Sequence, residues 1–271
     1  MESRIAKAIH LSSSPVALSW SDQKPEGAMQ FSEGKWGCVM WLAASAAKGK
    51  TAVADRKTFG CVGGGVGLGF GNQYLRFPGG EEGFCHFLSS GNAVRPGGAE
   101  LAENIKPFMT RESHENFLNG ERYIQNPEGV RKFIDALPMT EIPAAYVVFR
   151  PLAEVEMSCG KPQAVIFFVN PDQLSALTVL ANYARGDNEN AIIPYAAGCQ
   201  TIGIYPYREA ASARPRAVVG LTDLSARLYV RKQLGDPHLM TFTAPFALFL
   251  EMERNVPGSF LERHTWLALL G

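Results

Sequence analysis

The 271-residue chain has no surplus of charge: 26 Lys and Arg stand against 26 Asp and Glu. A dedicated nucleic-acid binder normally carries a basic excess, so a nucleic-acid partner is not expected. A chain with so little self-repulsion also suits a homo-oligomer. No stretch reaches eighteen uninterrupted apolar residues, so neither a transmembrane helix nor a membrane partner is expected. The opening MESRIAKAIHLSSSPVALSW has no basic segment leading into a clean apolar one. Glu2, Arg4 and Lys7 are interleaved with Ile5, Ala8 and Ile9, the pattern of an amphipathic helix. The expected location is the cytoplasm.

Cysteine is scarce and widely spread. Cys38, Cys61, Cys85, Cys159 and Cys199 are odd in number, which in a reducing compartment means free thiols or ligands. No Cys-x₂₋₄-Cys or His-x₃₋₅-His pair exists, so a zinc site of the usual spacing is missing. A metal would have to gather Cys61, Cys199 and Cys85, or His86, from distant segments. There is no G-x-S-x-G elbow to support a hydrolase of that type. No glycine register meets the dinucleotide fingerprint, because Phe70 stands where Gly65 and Gly67 require a glycine. The stretch ASAAKGKT has Ala44 where a phosphate-binding loop needs glycine, and it follows a helix instead of preceding one. Gly49 there reads as a helix stop.

The sequence does contain regular structure of mixed type. PVALSW, TAVAD, AYVVFRPL, AVIFFV, Ala217–Gly220 and MTFTA read as strands. Helices are expected over about Trp36 to Lys48, Glu82 to Ser89, Ala99 to Ile105 and Pro127 to Leu137. Another runs from Asn170-Pro171 to about Arg185, one starts at Pro245, and one closes the chain. Cys38 falls in the first of these as a small core residue, and Cys159 in the turn SCGKP. A chain of this length buries roughly 70–75% of its unfolded surface and needs no staples.

Two segments are alike. PVALSW is followed by a helix ending SAAKG, ten residues, and Gly60-Cys61; AVIFFV is followed by a helix ending NYARG, eleven residues, and Gly198-Cys199. This ordered set suggests an internal duplication, with halves 1–140 and 141–271 inside a single 1–271 domain. The expected fold is α+β, two strand–helix–Gly-Cys units around a shared cleft lined by Cys61 and Cys199. The alternative is that both Gly-Cys pairs are small residues packed where a loop meets a helix.

The first Gly-Cys opens TFGCVGGGVGLGFGNQ, with six glycines between 63 and 71. Glycine lets the main chain approach a ligand closely, so this segment is expected to floor the cleft as a loop. Gly63, Gly64, Gly65, Gly67, Gly198, Cys199, Tyr205 and Arg227 are the candidate binding residues. Tyr205 would line a planar ligand and Arg227 would grip a carboxylate or phosphate; core packing and a solvated helix position are their plainer alternatives. Cys61 or Cys199 at a helix start is the candidate nucleophile. None of His10, His86, His114, His238 and His264 is a sequence-evident base. TDLSAR would cap a helix through Asp223 or Thr222.

The segments SPVALSW, GCVGGGVGLGF, YAAGCQTIGIYP, RAVVGLTDLSAR and FTAPFALFLEME together resemble the DUF169 family, a set of uncharacterised prokaryotic proteins. The resemblance implies a cytoplasmic protein of about this length with a cysteine after each of two helical units. It carries no established activity. The family pattern includes a further cysteine in the strand before the last arginine segment, where this chain has VVGLTD. A cluster of three or more cysteines is therefore not a universal feature. The functional expectation is a small-molecule or cofactor-binding protein with a redox link, its cofactor unnamed by the residues. The alternatives are a thiol-dependent enzyme and a structural or assembly subunit.

Overall fold

In the computed structural model, which describes residues 1–156 and 160–270, the chain forms two compact units. One is Met1–Gly71 with Thr140–Gly271; the other is Asn72–Met139. Among the described residues the first unit holds a seven-stranded sheet: β1 (Val16–Ser21), β2 (Ala52–Asp55), β3 (Tyr146–Pro151), β4 (Ala164–Val169), β5 (Ala191–Ile192), β6 (Ala217–Gly220) and β7 (Met240–Pro245). The order is β2-β3-β1-β4-β7-β6-β5, antiparallel except for the β5–β6 edge pair. The apolar run AVIFFV becomes the central β4, buried at all six positions.

The helices are α1 (Arg4–Ala8), α2 (Val39–Ala47), α3 (Val62–Gly67), α4 (Gly80–Leu88), α5 (Gly98–Ile105), α6 (Arg111–Asn119), α7 (Pro127–Ala136), α8 (Pro171–Asn182), α9 (Gly198–Ile202), α10 (Ile204–Ala210), α11 (Leu224–Leu234), α12 (Phe246–Asn255) and α13 (His264–Leu270). Among the described residues none is long and apolar enough to cross a membrane.

Side chains alternate across a strand, so each strand serves both faces of the sheet. Ala17, Phe167, Val219 and Phe242 join one apolar cluster with α1, α8 and α12. Asn170 and Gln173 close a capping box at the start of α8, and Pro171 occupies its first turn, as the sequence predicts. The helix ends at Asn182 instead of Arg185. Arg185 turns away to make two hydrogen bonds to Glu251, at 2.8 and 2.6 Å, and one to the Pro215 carbonyl at 2.5 Å. Leu18, Ile166, Thr241 and Thr243 belong to the opposite face, where α2, α9 and α10 pack.

The second unit consists of α4 to α7 around an aromatic core. Tyr74 stacks on Phe84 with centroids 4.1 Å apart, and Phe77 meets Phe84, Phe87 and Phe117. The chain leaves the sheet unit at Gly71 and returns at Thr140, and the Gly71 N–H donates to the Thr140 carbonyl at 3.1 Å.

Two expectations need correction. The first long helix starts at Val39, with Trp36 outside it and 63% exposed. The glycine segment is not a loop: Gly63, Gly64, Gly65 and Gly67 lie inside α3. The helical runs α6 and α10 had no counterpart in the sequence reading.

Candidate functional site

A helix of sequence VGGGVG runs against propensity, since each glycine costs about 1 kcal/mol relative to alanine. Close approach to α9 explains it. A Cβ on Gly67 would lie 2.6 Å from the Cys199 carbonyl carbon, and one on Gly203 would lie 2.0 Å from the Gly67 oxygen. The two helices therefore meet main chain against main chain, a contact that any side chain would prevent. Gly64 is wedged between the Phe59 carbonyl and Val39, whereas Gly63 has only the Cys61 sulfur near, at 3.9 Å.

This contact brings two distant cysteines to one place. Cys61 is the N-cap residue of α3, its sulfur accepting the Gly64 N–H at 3.3 Å. Cys199 sits in the first turn of α9 and donates its thiol to the Gly63 carbonyl at 3.1 Å. Cys38 is the N-cap residue of α2, and the preceding Gly37 accepts the Cys61 N–H at 3.0 Å. Gly198 packs on Met40 in the first turn of α2. Asp223 closes the group. It caps α11 by accepting the Ala226 N–H at 2.6 Å, and it also accepts the Gly198 N–H at the start of α9. Leu221, two residues earlier, is buried with φ +63, an unusual conformation for a bulky residue.

The electrostatics favour protonated thiols. Burial raises the Cys199 thiol well above its ordinary range, and Cys61, Cys38 and Asp223 push in the same direction. Burial raises Cys61 against the opposing Gly64 N–H, and Asp223 adds to the rise. Burial also raises Cys38, with Cys61 the next cause. Asp223 is itself raised by burial, although two backbone N–H groups and Arg227 oppose this. Cys38 and Cys61 remain half-buried, while Cys199 is 7% exposed.

The other candidates are engaged elsewhere. The Arg227 guanidinium donates to the carbonyls of Leu221, Leu239 and Pro237, tying α11 to the segment after it. Tyr205 on α10 is 8% exposed and lies beneath Arg208, whose guanidinium carbon is 5.0 Å from the ring centroid. Cys85 belongs to the other unit, buried on α4, and burial raises its thiol. Among the described residues no three His, Cys, Asp or Glu side chains are placed to hold a metal ion. Cys159 lies outside the described residues.

Cys38 was missed by the sequence reading, and a signal for it existed. Gly37-Cys38 is a third Gly-Cys pair, and like the other two it stands at a helix start. No curated protein and no solved structure matches the chain significantly. A family model described as Uncharacterised ArCR matches residues 4–255, nearly the whole length, and by that match the chain belongs to the DUF169 family.

Proposed function

We propose that this protein binds a small molecule or cofactor at the thiol group around Cys61 and Cys199, and that the bound group is redox-linked. The observation that carries the reading is the Cys199 thiol donating to Gly63, which joins two cysteines far apart in sequence through one helix contact. Three thiols grouped with the Asp223 carboxylate suit a thiophilic partner. The raised thiols weigh against a thiol-dependent enzyme acting at neutral pH, which needs a thiolate there. A reducing cytoplasm would keep the thiols available.

The duplicated origin for halves 1–140 and 141–271 rests on the repeated Gly-Cys spacing alone: the first half holds only β1 and β2, which lie on either side of β3, and β3 to β7 all come from the second half.

The test is anaerobic purification followed by native mass spectrometry, a visible spectrum and metal analysis. A bound mass or chromophore lost in both Cys61→Ser and Cys199→Ser is the expected result. Iodoacetamide labelling should be slow at pH 7 and accelerate above pH 9, because a raised thiol pKa delays the thiolate. Fast labelling at pH 7 with no bound group would favour the enzyme instead.

A further inference from the structure

We infer that Cys38 and Cys61 form a dithiol–disulfide couple that exchanges with low-molecular-weight disulfides. This builds on the reading of a redox-linked thiol site and names the redox group as the protein's own.

The geometry begins with the backbone. The Cys61 N–H donates to the Gly37 carbonyl at 3.0 Å, so four covalent bonds and this hydrogen bond connect the two cysteine Cα atoms. Ordinary bond lengths then place those Cα atoms roughly 5–7 Å apart. Disulfides span Cα separations of about 4.4–6.8 Å. The approach is fixed by glycine on both sides: Gly60 has φ +76, and a Cβ there would lie 2.2 Å from the Gly37 oxygen. Each cysteine follows one of these glycines and stands at the N-cap position of its own helix, Cys38 on α2 and Cys61 on α3. The two side chains lie near enough for Cys61 to influence the Cys38 thiol.

Access and selectivity follow from burial. Cys38 and Cys61 are half-buried, so a small disulfide reaches them, whereas Cys199 is nearly covered and its thiol donates to Gly63. In the exchange, one protein thiol loses its proton and attacks a sulfur of a disulfide RSSR. This gives a mixed disulfide and releases RS⁻, which takes up the proton as RSH. The second protein thiol then attacks the mixed disulfide, forms the Cys38–Cys61 bond and releases another RSH. Two electrons and two protons pass from the pair to RSSR, which becomes two RSH.

Exchange needs a thiolate, which these raised thiols supply only above neutral pH, so the experiment incubates the full chain with oxidised glutathione at about pH 9, blocks remaining thiols, digests the protein and maps the linked peptides. The expected product is a peptide joining Cys38 to Cys61, present in wild type and in Cys199→Ser and missing from Cys38→Ser and Cys61→Ser. In the double variant Cys38→Ser, Cys199→Ser, glutathione should stay attached to Cys61, because neither neighbouring thiol remains to resolve it. Serine is a favoured helix N-cap residue, so Cys61→Ser can keep the cap that the Cys61 sulfur provides, and Cys38→Ser loses none, because Cys38 makes no side-chain cap bond. Oxidised wild type that keeps Cys38 alkylatable, or that links Cys61 to Cys199, overturns the couple. Failure of the two readings is separable. A bound group retained without the Cys38–Cys61 link sinks the couple alone. The link without any bound group sinks the ligand site alone.

Discussion

Phe167 and Phe242 leave one face of the sheet to meet Phe246, Phe249 and the leucines of α8 and α12, so bulky side chains seal that face. On the opposite face Thr241 and Thr243 point toward helices whose own contacts are made by glycine. A Cβ on Gly220 would fall 2.0 Å from the Thr201 hydroxyl oxygen, and α3 meets α9 through Gly67 and Gly203. The first face is sealed by volume, whereas the second, which buries Phe149 and Phe168 as well, is closed by backbone proximity where α3 meets α9. Volume can be filled by many apolar combinations. Proximity absorbs even one methyl group only by moving a helix, and it holds small reactive side chains at fixed positions. The thiols are found on the second face.

Substitutions can break or sharpen this contrast. The largest effect is expected from Phe167→Ala, which empties the greasy face and should cost about 3–5 kcal/mol in urea unfolding. Labelling of Cys38 and Cys61 in the folded protein should stay as in wild type; altered labelling would mean that the faces are not independent. Gly67→Ala should cost less, about 1–3 kcal/mol, because overpacking can be relieved by a shift of α9. That shift should speed alkylation of Cys199. A Gly67→Ala protein with unchanged stability and unchanged labelling would contradict the tight α3–α9 contact. The smallest effect is a gain. The Thr243 hydroxyl is fully buried and has no hydrogen-bond partner among the described residues. Thr243→Val should therefore stabilise by about 1 kcal/mol, since an unpaired buried hydroxyl is costly. A loss of stability would show that the hydroxyl is satisfied.

The sheet was largely legible in the sequence because its signals are local. AVIFFV can be little other than a buried strand, Asn170-Pro171 opens a helix through its own side-chain chemistry, and Gly49 with φ +93 follows the end of α2. Asp223 was readable as a cap and is one. Its second bond, to the Gly198 N–H, depends on a fold-wide approach that no local pattern encodes. The helix α3 was illegible for the same reason, since glycine propensity argues against a helix and only the partner α9 reverses the balance. Cys38 was hidden by its surroundings. WGCVMWLAASAA reads as one unbroken apolar helix, and cysteine is a weak marker of the boundary that Cys38 in fact forms.

Gly71 and Thr140, the two residues at which the sheet unit is interrupted in sequence, are joined by a backbone hydrogen bond within that unit. Because the two ends of the interruption are already paired, the length of chain between them can change without rethreading a single strand.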